Sequence, residues 1–198
     1  KKSELLASWN TLASSLDGRF YLFLSAQDAA GNTATKSIFV RVDNGVPLAE
    51  IDSPAQDSVH RGVVEVRGKA DDFSYTGCLL EYGLGVSPTE WKYINSVVGA
   101  AFPEPDGGVL GYFDGTEING VATLRLSVFD AVGHVGVATR SFVVDNTAPT
   151  VAITAPISGE IFSGTVQVEG SVNDNHELAR YEVLVAENSD PAPNDFQL

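Results

Sequence analysis

The sequence predicts an all-β fold built from tandem β-sandwiches. Three observations predict it. Short runs of β-formers recur every 8–12 residues, with Gly, Pro, Asn and Asp between them, which is the spacing of sandwiches. A long segment occurs twice at a fixed offset of 102 residues: Asp28–Asn32 and Val42–Pro47 return as Asp130–His134 and Val144–Pro149. Laid over one another without a gap, 16–47 and 118–149 share 11 of 32 positions, and 47–72 and 149–174 share 8 of 26. A period this long is a whole β domain, since solenoid units run to about 20–50 residues. The 198 residues hold close to two such periods, and 43% of them are apolar, enough to fill cores.

The elements follow in order. Residues 1–15 place Leu5, Leu6, Trp9 and Leu12 at helix-like spacing, but Ser14-Ser15 and Asp17-Gly18 stop any helix, so a loop or one short turn is expected. Phe20 to Ala26 is a strand, rich in aromatics and Leu. Asp28-Ala-Ala-Gly31 is a hairpin turn: the carboxylate accepts backbone N–H bonds, and Gly31 takes the positive φ that closes it. Thr35 to Val42 is the return strand, with Ile38, Val40 and Val42 on one face. Asp43-Asn44-Gly45-Val46-Pro47 breaks the ladder and marks a junction. Short strands are expected at Ala49–Asp52, Val63–Gly68 and Leu79–Tyr82, with a loop at 55–61. A long connection carries Pro88 and Trp91 and runs through Pro103-Glu104-Pro105-Asp106-Gly107-Gly108. Val121–Phe129, with Leu124, Leu126 and Val128 inward, the turn at Asp130–Gly133 and a strand over 135–144 complete the cycle. Thr150–Thr154 restarts it. Val166 and Val168 stand where Val64 and Val66 did, and Tyr181–Val185 is the expected third strand.

This organisation reads as the second half of one repeat (1–46), a complete repeat (47–146) and the first half of a third (147–198). The alternative phase makes 1–98 and 99–198 two permuted sandwiches; proline and Asp-Asn at Pro47 and Pro149 favour the first. The chain opens in mid-pattern, as a piece of something longer would. A half repeat lacks the partner sheet that would cover its apolar face. Its open faces could be completed by another part of a longer protein, or head to tail by another copy.

Bulk chemistry narrows the function. A net charge of −14, from 26 acids against 12 bases, argues against nucleic acid and anionic membrane surfaces. It suits a soluble surface protein or a divalent-cation binder. The one cysteine, Cys78, sits among apolar neighbours and reads as a buried structural thiol. No apolar run reaches the length of a membrane span, and no signal peptide is visible. The three histidines, His60, His134 and His176, are scattered through expected loops, with no His-Glu-x-x-His or Gly-x-Ser-x-Gly. The serines lack a base, and a Glu81–Asp72 pairing would be accidental. A non-catalytic protein is expected.

The stretches Tyr82-Gly83-x-Gly85-x-x-Pro88-x-x-Trp91 and Asp-x-x-Gly-Asn before Val-Asp-Asn-x-x-Pro carry a resemblance. The chain resembles the Ig-like and fibronectin-III-like repeats of large bacterial secreted and cell-surface proteins. It departs at His134, where that family has Asn. The resemblance implies an extracellular or cell-surface address and a structural or adhesive spacer flanked by neighbouring Ig-like repeats. The rival reading is a carbohydrate- or protein-binding accessory module of a larger extracellular enzyme, with a surface glycan or protein as its ligand.

Arrays of this kind are often stiffened by Ca²⁺ at their junctions, and the Asp-Asn-x-x-Pro linkers look similar. Calcium takes six to eight hard oxygens. The candidates are Asp43, Asn44, Asp71, Asp72 and Asp130 at one junction, and Asp145, Asn146, Asp174, Asn175 and Glu177 at the next. Turn capping explains Asp130 equally well, and polar strand ends explain Asp43 and Asp145. For a glycan, Trp9, Trp91 and Tyr93 are the candidate stacking faces, unless Trp91 folds back over the core.

Overall fold

Gly18–Gln27 (β1) and Thr33–Val42 (β2) form an antiparallel hairpin, registered from Gly18↔Val42 to Gln27↔Thr33. The turn is the predicted one. The Asp28 carboxylate accepts from the N–H groups of Ala30 and Asn32 at 2.9 and 2.8 Å, and Gly31 has φ of 90°. These coordinates are a computed structural model that describes residues 4–12, 16–98 and 108–186. The chain divides into two units, Lys1–Val144 and Asp145–Leu198.

After the hairpin, the first unit holds a two-sheet sandwich. Its strands are Leu48–Ser53 (β3), Val59–His60 (β4), Val63–Asp71 (β5), Tyr75–Leu84 (β6), Lys92–Val98 (β7), Gly108–Asp114 (β8), Gly120–Asp130 (β9) and Val135–Val144 (β10). One sheet has the order β4-β10-β9-β6-β7, the other β3-β5-β8. The pairing is antiparallel except between β4 and β10.

Period-two alternation explains which side chains meet. Leu124, Leu126 and Val128 of β9 are fully buried, as are Phe142 of β10, Val66 of β5 and Phe113 of β8. Ile51 and Leu80 close the same core, and Cys78 is buried there as an apolar filler. Edge-to-face rings run through it: Tyr82–Phe113 at 4.9 Å, Phe113–Phe142 at 5.2 Å and Phe142–His60 at 5.9 Å.

Several elements differ from expectation. The loop at 55–61 contains β4, whose two residues pair in parallel with Val143 and Val144. The long connection after Pro88 contains β7 and β8; 99–107, with most of its Pro/Gly run, lies outside the described residues. Two glycines hide β8 from a strand reading. One of them, Gly111, leaves room for Ile94 and Leu80 to pack 3.2–3.3 Å from where its Cβ would stand. β6 is ten residues long because both neighbours, β7 and β9, hold it.

The second unit carries one antiparallel pair, Thr150–Ala155 (β11) and Glu169–Asn173 (β12). Val166 and Val168 precede β12 outside any strand, and of Tyr181–Val185 only Val185 makes a bridge. The irregularities of the first sheet return here. A bulge at Ile51/Ser53 has its counterpart at Ile153/Ala155, 102 residues on. A Cβ on Gly68 would lie 2.0 Å from the Glu50 carbonyl, and one on Gly170 2.2 Å from that of Ala152. No helix among the described residues is long and apolar enough to cross a membrane.

Candidate functional site

Two turns and a linker converge at one end of the sandwich. Asp130 ends β9 and folds the turn to β10. Its Oδ1 accepts from the N–H groups of Val132, Gly133 and His134 at 3.0, 2.6 and 2.8 Å, and its Oδ2 lies 2.7 Å from His134 Nδ1. In the first hairpin, Asn32 Nδ2 donates to Asp28 Oδ2 at 2.9 Å. His134 therefore does with its imidazole what Asn32 does with its amide, which accounts for the departure at that position.

Asp72 caps the neighbouring turn, accepting from Ser74 N–H at 2.7 Å. Ser74 Oγ donates to Asp43 Oδ2, and the Ala131 N–H reaches back to Ser74 Oγ at 3.2 Å. Asp43 comes from the linker after β2. Its carboxylate, that of Asp130 and the His134 ring bring their ligand atoms within 4.8 Å of one another. Three carboxylates thus meet, from positions 43, 72 and 130.

Electrostatics follows from the crowding. Burial raises the Asp72 carboxyl above its ordinary value; the Ser74 N–H opposes this, and the charges of Asp43 and Asp130 add to it. Burial also works to raise Asp130, but the hydrogen bonds from His134, Gly133 and Val132 outweigh it and hold the group low.

Not every candidate joins this cluster. Asn44 turns the other way: its Nδ2 donates to Leu16 O at 2.6 Å, and its N–H donates to Asp17 Oδ1, tying the linker to the segment before β1. Asp71 is exposed at the end of β5. In the second unit, Asp145 Oδ1 accepts from Thr147 N–H at 3.0 Å and Asn175 Nδ2 at 3.2 Å, and these bonds, Thr147's first, hold its carboxyl low. Asp174 caps His176 N–H at 2.8 Å, while Asn146 and Glu177 are exposed. A hard cation at the first junction would find carboxylate oxygens of Asp43 and Asp130 beside the His134 ring, short of calcium's usual six to eight among the described residues.

The linker is fixed by other contacts too. The Arg41 guanidinium lies 4.6 Å from the Phe73 ring centroid and donates to Phe73 O at 3.3 Å. The Pro47 carbonyl sits against β10, 1.9 Å from where a Cβ of residue 136 would stand, so glycine is required there.

The aromatic candidates are dispersed. Trp9 meets Phe20 edge-on at 5.2 Å. Trp91 lies outside the core and half-buried, with the Arg125 guanidinium 4.0 Å over its ring; Arg125 also pairs with Glu81 at 2.7 Å. Tyr93 is exposed on β7. A different group went unnoticed in the sequence: Tyr21, Phe23 and Phe39 cluster on one hairpin face, with ring centroids 6.5 Å apart. Alternating aromatics at 21 and 23 were its signal. Their planes are tilted by 35° and 59°, so they form no flat platform. His60 also corrects the expectation that the serines lack a base, since its Nε2 lies 2.7 Å from Ser58 Oγ. That hydroxyl donates to Ala55 O at 2.6 Å, which makes the pair a turn brace.

Comparison with known proteins gives one family. Residues 149–196 match the model of the bacterial Ig domain. None of the curated proteins matches. A crystal structure of an engineered protein is similar at 13% identity and a TM-score of 0.35, over 50% of this chain and 20% of that one. The chain therefore spans about a fifth of that solved protein's length. The family match covers residues 149–196, and the β-strands of the chain, with no α-helix among its described residues, agree with an Ig-like β-sandwich.

Proposed function

We propose that this chain is a non-catalytic structural and adhesion module of a bacterial surface or secreted protein, acting as a spacer in an array of Ig-like repeats. One observation carries the reading: the linker is held rather than free. Between β2 and β3, Arg41 is stacked on Phe73, Asp43 is bonded to Ser74, and Asn44 is bonded to Leu16 and Asp17. The Arg41 and Asp43 contacts each remove a direction in which the hairpin could bend against the sandwich, and Asn44 ties the linker back to the segment before β1. The charge of −14 supports an exposed, self-repelling surface. The tilted hairpin rings and the covered face of Trp91 support spacing over glycan stacking.

Calcium is the cation that this reading assigns to the carboxylates of Asp43, Asp72 and Asp130; burial is the main cause of the raised Asp72 carboxyl, and the cation would offset the lesser part that the charges of Asp43 and Asp130 add. The test is amide hydrogen exchange at Asn44 and Gly45, in millimolar calcium and in EDTA. Protection in both conditions supports a stiff linker built from side-chain contacts alone. Stronger protection in calcium supports the cation as well; a hundredfold excess over Kd would add about 2.7 kcal/mol to unfolding. Exchange at the free-peptide rate in both would sink the spacer reading.

A further inference from the structure

The two junctions differ at the residue that follows their asparagine. At the 102-residue offset, Asn44-Gly45 returns as Asn146-Thr147. The difference is chemical. The backbone nitrogen after an asparagine can close on the side-chain amide carbon, and glycine, with no Cβ, leaves that approach open. A β-branched threonine crowds it. The chain carries two Asn-Gly pairs, Asn44-Gly45 in the linker and Asn119-Gly120 at the entry to β9. In the linker the fold holds both reacting groups. Asn44 Nδ2 donates to Leu16 O at 2.6 Å and Thr11 O at 3.4 Å, and the Thr11 hydroxyl donates to Asn44 Oδ1 at 3.5 Å. The Asn44 N–H donates to Asp17 Oδ1 at 2.5 Å, and the attacking Gly45 N–H donates to Asp43 Oδ1 at 3.3 Å. Both residues are half-buried. Ring closure requires the amide to leave Leu16 and Thr11, and Gly45 to leave Asp43.

We propose that Asn44-Gly45 is a deamidation site gated by its own linker: unreactive while the linker is latched and, once converted, unable to latch again. The Gly45 nitrogen attacks Asn44 Cγ and gives up its proton, and the side-chain nitrogen leaves as ammonia. Water then opens the resulting succinimide at either carbonyl, leaving aspartate or isoaspartate at position 44. Both products undo the hold of Asn44. Neither has a side-chain N–H to give to Leu16 O and Thr11 O, so acceptor is left facing acceptor. The new carboxylate also joins those of Asp43 and Asp17, which already lie 3.7 and 3.8 Å from where a Cβ of residue 45 would stand. Isoaspartate further adds a methylene to the backbone of the linker. The second junction escapes this fate, because Thr147 follows its asparagine. The inference rests on the reading of the linker as held, and adds to it an irreversible release at one junction and not at the other.

Ageing the full chain in warm, mildly alkaline buffer tests this, with peptide mass spectrometry following each asparagine. A synthetic peptide of residues 42–48 gives the rate without the fold. Asp17→Ala removes the acceptor of the Asn44 N–H, and Asp17 is exposed, so the sandwich should keep its thermal midpoint. Asn44 is expected to convert at least about tenfold more slowly in the native chain than in the peptide, because the reaction follows the population of the opened linker. Asp17→Ala should speed Asn44 about threefold or more, the effect of one lost hydrogen bond, and leave the rate at Asn119 unchanged. Asn146 should stay unconverted. In Asn44→Asp, amide exchange at positions 44 and 45 should rise at least about tenfold over the native chain. Conversion of Asn44 at the peptide rate overturns the proposal. If amide exchange at Gly45 is protected in that same sample, the spacer reading stands without it; if exchange is at the free-peptide rate as well, both fall. Native protection kept in Asn44→Asp overturns the claim that conversion releases the linker.

Discussion

Asp130 is the residue on which the junction end of the sandwich turns. Three backbone N–H groups and the His134 ring converge on its carboxylate, and its side chain is fully buried. Removing that acceptor leaves the N–H groups of an exposed turn to water. Asp130→Ala is therefore expected to cost about 1.5–3 kcal/mol in chemical denaturation, the range for hydrogen bonds to a charged group. His134→Asn should stay within about 0.5 kcal/mol of the native chain, because an Asn amide already makes the same bond in the Asp28 turn. A large loss from His134→Asn would mean that the imidazole does more than brace the turn. The sequence showed Asp130 as a turn residue through its Asp-x-x-Gly pattern. It gave no sign of Ser74, whose partner Asp43 is remote in the chain and close only in the fold.

At the scale of elements, β9 is the spine. It pairs with β10 on one side and β6 on the other, and its inward residues have no exposure. Leu126→Ala leaves a cavity that neighbours on both sheets cannot fill, and should cost about 2–5 kcal/mol. The equivalent change in the hairpin, Leu24→Ala, should cost well under half of that in the single copy, since Leu24 is 52% exposed. Equal losses from the two would show that the hairpin face is covered in solution at the concentration measured. Period-two patterning showed the face of β9 directly. It missed β7 and β8 although both carry β-formers such as Tyr93, Ile94, Val109 and Phe113, because they lie in a connection whose Pro and Gly residues read as loop.

For the whole molecule, charge sets the response to acid. Hydrogen bonds hold the carboxyls of Asp28 and Asp145 below their ordinary value, and Asp130 sits low as well, its bonds outweighing burial. The stability these groups contribute is present above the usual carboxylate pKa of about 3.9 and is lost as pH falls through their folded values. Asp72 has the opposite sign: its raised carboxyl favours the fold while protonated, and that contribution is lost as pH rises through its folded value. In EDTA, Asp72→Asn is thus expected to raise the thermal midpoint at neutral pH and to lose that advantage in acid near pH 3. A midpoint lowered at neutral pH would show that the Asp72 charge is satisfied by a group other than those described.

The sequence by itself determined the all-β class, the two Asp-x-x-Gly turns, the inward face of β9 and the correspondence at 102 residues. All of these rest on local chemistry: side-chain alternation, Asp capping and the backbone freedom of glycine, which operate within a few residues. Only the tertiary structure decided the rest. It brought Asp43, Asp72 and Asp130 together while turning Asn44 away, and laid Arg125 over Trp91. Those outcomes depend on which strands are neighbours, and a strand's neighbour is fixed by burial of the whole sandwich rather than by its own residues.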